Sequence, residues 1–334
     1  MQLPRLVRRF GQLLPARCIG SISCRRVGAA LLVCGFYAGL AGAAQLNGFE
    51  LGGAAVPEGD IKHGGPPRDG IPAIDQPVFV MADEATNLVP ESRVMGVIHN
   101  GVAKAYPILV MNWHEIVNDK FGSDPVLVTF CPLCGTGISF KSVVDGKPAI
   151  FGVSGLLYNS DVLLYDRQTE SLWSQMIGTA IAGPQKGAKL EPIPTSHTSW
   201  ADWLARHPET LVLSEETGHA RDYQRDPYRG YGDSTRVLFA VRHASEKYHP
   251  KELVLALSLN GDQKAWPFSE LRKRSAGEFV DTLGGQTIRI EFDDAADTAR
   301  AFDESGEQLP AMIAFWFAWY AFHPEAKVYV ADDS

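Results

Sequence analysis

Cysteine is scarce in this 334-residue chain: there are five, and Cys18, Cys24 and Cys34 fall near its start. Exported domains that rely on disulfides carry a dense, even set of cysteines, so a disulfide framework is excluded. Basic residues are also few, 31 against 39 acidic, for a formal net charge of −8. A nucleic-acid binder needs a basic face to displace counterions from phosphates, and that class is excluded too. No Gly-x-Ser-x-Gly, phosphate loop or dinucleotide fingerprint occurs, and Gly152-Val153-Ser154-Gly155 is too short to count as one. Hydrophobic residues nevertheless make up 45% of the chain and charged ones 21%, enough for a packed core and too apolar for disorder.

What is present begins with a leader. Arg5, Arg8, Arg9, Arg17, Arg25 and Arg26 precede an apolar run, Val27–Leu40, and the small residues Ala41-Gly42-Ala43 close it. These are the three parts of a secretory signal peptide, expected over residues 1–43. The apolar run is short of the roughly 20 residues that span hydrocarbon, so stable membrane insertion after leader removal is not expected. Export to the periplasm or the extracellular space follows. Without the six arginines the remaining chain has 25 basic against 39 acidic residues, a net −14. Of the five cysteines only Cys131 and Cys134 remain.

Residues 44–76 are rich in Gly and Pro and read as an irregular lead-in, and 77–334 as one large domain. Short β-branched runs recur between turn signals, among them Val78–Met81, Val94–Ile98, Val126–Phe130, Gly137–Phe140, Val162–Tyr165, Val237–Val241 and Leu253–Leu259. Helix is expected over Leu109–Asn118, over Trp200–Arg206 with Ser199 as N-cap, and over Glu270–Arg274; the aromatic run Met312–Phe322 reads as buried helix or strand, with helix preferred. The fold class is therefore α+β, β-dominated and mostly antiparallel. One echo stands out: Asn100-Gly101-Val102-Ala103-Lys104-Ala105-Tyr106-Pro107 returns as Asn260-Gly261-Asp262-Gln263-Lys264-Ala265-Trp266-Pro267. Asn-Gly is a strong hairpin signal, so a strand-turn-strand-helix-strand unit used twice is expected, near 94–140 and 253–302. The first copy has Cys131 after Phe130, the second Asp293 after Phe292.

Cys131-Pro132-Leu133-Cys134-Gly135 carries the chemistry. In a thioredoxin-like dithiol a Pro precedes the second cysteine and the pair caps a helix; here the Pro follows the first cysteine and Gly follows the second. Cys-Pro-x-Cys-Gly is the pattern of a metal knuckle, whose turn aims two sulfurs at one point. Two further ligands must then come from His or carboxylates. His114, in His114-Glu115-Ile116-Val117-Asn118-Asp119, is the best-placed imidazole, with Glu115 as a fourth ligand or supporting group. Two thiolates and an imidazole suit Cu(I) or Zn(II). Asp166, Arg167, Trp173 and Gln175 offer a polar pocket wall or an ordinary turn and core, and the Tyr-rich stretch 221–232 a ligand loop or a core cover.

The ordered series His114–Asp119, Val128–Phe140, Phe151–Gln175 and Ala180–Pro184 resembles domain-of-unknown-function family 3179 over residues 70–330. The resemblance implies export and a signature containing His114, Cys131 and Cys134; it implies no activity. The leading expectation is an exported protein with one copper or zinc ion on Cys131, Cys134 and His114, acting with an unknown small molecule or protein partner. Two others stand beside it: a thiol–disulfide oxidoreductase using the same dithiol, and a binding or scaffold domain with a structural metal.

Overall fold

The computed structural model describes residues 45–274 and 277–331; the expected signal peptide lies outside them. Strands hold 42% of residues and helices 12%; five mostly antiparallel sheets of three to five strands are set around one another like the blades of a propeller, beside two short two-stranded ribbons. No helix among the described residues is long and apolar enough to cross a membrane.

Two adjacent sheets frame the site. One runs in the order Thr179–Ala182, Leu172–Ser174, Asp161–Asp166, Phe151–Tyr158 and Ile61–His63. Its last strand comes from the Gly/Pro-rich lead-in. The other runs Pro192–Ile193, Thr136–Lys141, Asp124–Cys131 and Ile116–Phe121. Phe151, Trp173, Leu164, Leu127, Cys131, Cys134, Trp316 and Trp319 belong to one buried apolar cluster, so the thiols sit in the largest core of the molecule.

The two Asn-Gly segments form hairpins of equal register. Arg93–His99 pairs with Val102–Pro107 so that Val94 faces Pro107, and Leu253–Leu259 pairs with Asp262–Pro267 so that Val254 faces Pro267. Each hairpin leads through its Pro, which fixes φ and suits a first helical turn, into a short helix: α1, Ile108–His114, in the first case. The matching helix in the second is Phe268–Lys273. Between them in sequence lies α2, Trp200–Arg206, which Ser199 caps by accepting the Asp202 N–H. With Phe268–Lys273 as α3, the aromatic run divides into the strand Met312–Phe315 and α4, Trp316–Phe322.

Helix α1 is shorter than the expected Leu109–Asn118. Glu115 adopts φ 58° and donates its N–H to the Met111 carbonyl, closing the helix in the left-handed conformation usual for a terminating glycine. Ile116–Phe121 then becomes a strand, so a whole strand separates α1 from the knuckle strand. Val237–Val241, expected as a strand, has no sheet partner. Val237, Phe239 and Val241 still point alternately into the core, which is what made the run look β-like. It belongs to a long irregular segment between Leu213 and Leu253.

Candidate metal centre

Two tight turns, one from each framing sheet, build the site. The first joins Asp124–Cys131 to Thr136–Lys141, with Cys131 opposite Thr136. The Cys134 N–H donates to the Cys131 carbonyl at 3.1 Å. Gly135 follows with φ 60°, and a Cβ there would stand 2.9 Å from the Phe315 ring. Conformation and space both require glycine. Phe315 in turn donates its N–H to the Cys134 carbonyl at 2.8 Å.

The second turn joins Phe151–Tyr158 to Asp161–Asp166 through Asn159 and Ser160, both at positive φ. Two such residues between paired strands make the turn type whose twist matches a hairpin. The Asn159 side chain fixes it, donating to the Ala321 carbonyl and accepting the Arg242 N–H. The Ser160 carbonyl lies 3.5 Å from the Cys134 sulfur and 4.0 Å from that of Cys131.

Both sulfurs and a carboxylate oxygen of Asp161 fall within 4.8 Å of one another, and no other such group of three His, Cys, Asp or Glu ligands occurs among the described residues. Cys131 is 1% exposed, and Cys134 and Asp161 are fully buried. Both cysteines are free thiols. Asp161 Oδ2 accepts the Met176 N–H at 3.0 Å and the Ser174 hydroxyl at 3.4 Å. Oδ1 is buried with no hydrogen-bond partner, and so is the Ser160 hydroxyl. A buried carboxylate oxygen with no donor is expensive, and a cation is the group that would satisfy it.

The electrostatics agree. Burial pushes the Cys131 thiol up, with Asp161 and Glu115 adding to it against the opposing Cys134 hydrogen bond. Burial pushes Cys134 well up, and Cys131 and Asp161 add to it. Burial also lifts Asp161 to about 7 despite its hydrogen bonds, and burial plus Asp161 lifts Glu115 to about 8. The charges acting on these four groups come from one another; all are acids. All four groups are shifted toward their protonated forms, and a positive ion placed among them would shift them back.

His114 is fully buried, and both ring nitrogens are engaged: Nδ1 with the Pro72 carbonyl at 2.7 Å and Nε2 with the Tyr223 hydroxyl at 2.6 Å. Burial takes it down to about 4. The close group thus brings together Cys131 and Cys134 from the sequence expectation, with Asp161 in place of the imidazole. Gln175 stands behind the knuckle, donating to Thr129 Oγ1 and the Thr136 carbonyl. Asp166 is occupied by Thr169 and the Trp173 indole, and Arg167 by Asp75. Asp161 carries no sequence signal beyond a turn-ending Asp after Asn-Ser.

The irregular segment beyond Leu213 packs against the apolar cluster that holds the thiols, through Val237, Phe239, Val241 and Tyr248. Three consecutive residues of α1 hold it: Asn112 donates to Asp226, Trp113 to the Arg225 carbonyl, and His114 meets Tyr223. Tyr231 stacks edge-on to Phe315 at 6.3 Å, beneath Lys251 at 4.3 Å, with its hydroxyl buried and unpartnered. The corresponding turn of the second hairpin series, Asp293–Thr298, has no thiol. There Asp294 and Asp297 meet the Arg272 guanidinium, and Arg93 donates to the Ala296 and Asp297 carbonyls at 2.6 and 2.9 Å. A cavity of about 620 Å³ is lined by Ile98, Lys141, Glu191 and Leu309 among others, and by neither cysteine.

The chain belongs to the family described as protein of unknown function (DUF3179), whose profile matches residues 68–326, a span that contains both turns. No curated protein and no solved structure matches the chain.

Proposed function

We propose that this is an exported protein that binds one thiophilic metal ion, copper or zinc, through Cys131, Cys134 and Asp161. The observation that carries the reading is the convergence of two thiols and a carboxylate oxygen of Asp161 within 4.8 Å in the buried core, with one oxygen of that carboxylate left without a hydrogen-bond partner. Two thiolates give the site its softness, and the carboxylate adds charge. Three protein ligands leave a fourth position, the arrangement of an exchangeable or reactive centre rather than a closed structural one. Glu115, buried and raised in part by the charge of Asp161, is a candidate to support that position. His114 serves here as an anchor for the irregular segment, since both of its nitrogens have partners. Export rests on the leader at residues 1–43.

The two hairpin series read as a duplicated unit in which only the first retained thiols. In this view the guanidiniums of Arg272 and Arg93 occupy the role at the second turn that a metal ion takes at the first.

A dithiol oxidoreductase is less well supported. Its attacking cysteine works as an exposed, readily ionised thiolate, whereas both thiols here are buried and pushed up. The test is elemental analysis of protein purified from its export compartment. The wild type should carry about one equivalent of metal. Cys131→Ser/Cys134→Ser should carry almost none, and Asp161→Asn should bind more weakly by roughly 10- to 100-fold if it acts on the ion. Equal metal in wild type and the double variant would end the reading.

A further inference from the structure

Six hairpin turns among the described residues place both central residues at positive φ, a geometry whose second position strongly favours glycine. In five of them that residue is Gly48, Gly101, Gly146, Gly261 or Gly285. In the sixth, between Phe151–Tyr158 and Asp161–Asp166, it is Ser160, with φ 68°. The departure falls at the thiols, where the Ser160 carbonyl lies 3.5 Å from the Cys134 sulfur. Ser160 is 1% exposed, and its hydroxyl has no hydrogen-bond partner. A serine here strains the turn and buries a polar group with no return inside the fold, so neither backbone geometry nor packing accounts for it.

A second unpartnered group belongs to the same pair of turns. Gln175 is fully buried, and its Nε2 donates to Thr129 Oγ1 at 3.0 Å and to the Thr136 carbonyl at 3.1 Å. Thr136 is directly opposite Cys131 in the knuckle hairpin, and Thr129 projects from the same strand face as Cys131. The backbone here runs beside the third ligand: the Gln175 N–H donates to the Val162 carbonyl at 3.4 Å, and the Met176 N–H to Asp161. Gln175 therefore ties the knuckle to the Asp161 strand. The Thr136 carbonyl can only accept, which fixes the nitrogen end of the amide and leaves Oε1 buried with no partner. Beside two thiols the structure thus sets three unpartnered oxygens: Asp161 Oδ1, Ser160 Oγ and Gln175 Oε1.

We propose that the Ser160 hydroxyl and the Gln175 side-chain oxygen hold a water molecule on the fourth position of the metal. The serine donates, the glutamine accepts, and a water does both, so the two groups are satisfied together once the ion is in place. Ser160 and Gln175 are then positioning residues: neither binds the ion, and each fixes the exchangeable ligand that makes the centre an open one. The inference rests on the metal reading above, and its test separates the two.

The full chain is compared metal-free and loaded with Co(II), whose sulfur charge-transfer band reports the thiolates and whose ligand-field bands report the fourth position. In wild type, azide, which displaces metal-bound water, should shift the ligand-field bands saturably and spare the sulfur band. Ser160→Gly keeps the turn and removes the hydroxyl. Metal-free, it should unfold at a urea midpoint at or above that of wild type, since glycine suits this φ and the unpartnered hydroxyl is gone. Loaded, it should keep the sulfur band, shift the ligand-field bands and bind Co(II) at least about tenfold more weakly. Gln175→Met should shift the same bands while losing stability with its two Nε2 hydrogen bonds. A metal-free Ser160→Gly less stable than wild type, an azide-insensitive spectrum, or ligand-field bands equal in wild type and both variants overturns the water site and leaves the metal reading standing. A wild type with no sulfur band removes both.

Discussion

Gly135 is the residue on which the knuckle turns. Alanine there meets both a left-handed φ and the Phe315 ring, so Gly135→Ala is expected to cost about 1–3 kcal/mol in urea unfolding and to lower metal content with it. His197 makes a different prediction. It is buried, with Nε2 3.1 Å from the Gly137 N–H, and burial takes it down to about 4. A histidine held neutral contributes stability above its unfolded value of 6.5, and that contribution is lost as pH falls from there towards 4. The unfolding midpoint should therefore drop across this window, and His197→Gln should flatten the drop. The cysteines were legible because their spacing and the flanking Pro and Gly restrict the turn. Asp161 was not, because a carboxylate after Asn-Ser looks like any turn ending, and its partners lie 27 and 30 residues away.

Among the elements, the hairpins were read correctly and the helix after the first was read too long. Nothing in Leu109–Asn118 announces a stop, since Glu seldom takes the left-handed conformation that closes α1 at Glu115. Pairing with Asp124–Cys131 decides the matter: tertiary contact turns Ile116–Phe121 into strand. Each hairpin carries a lysine clamped to an Asp on the following strand. Lys104 reaches Asp119 at 2.8 Å with Tyr106 donating to the same carboxylate, and Lys264 reaches Asp281 with Trp266 donating. The first pair is buried and the second partly exposed. Lys104→Met leaves Asp119 buried without its cation and should cost about 3–5 kcal/mol; Lys264→Met should cost clearly less in the same denaturation experiment.

For the whole molecule, composition and strand-like runs gave the β-dominated class, but the ring of five sheets depends on packing between strands distant in sequence. Metal removal tests how far that packing stands alone. Five separate apolar clusters hold the domain, and only one contains the thiols. Chelation should leave the β-type circular dichroism intact and lower the melting temperature only by the lost binding free energy, about 2.7 kcal/mol at a hundredfold excess over Kd. Wholesale unfolding on chelation would favour a structural staple instead.

The ligands of the candidate centre come from the tips of two different sheets, bridged there by the Ser160 carbonyl and the sulfurs. An ion seated between them acts as a rivet. Amide exchange at Asn159 and Thr136 would then slow together on loading, and the spacing of two blades would become a gauge of occupancy.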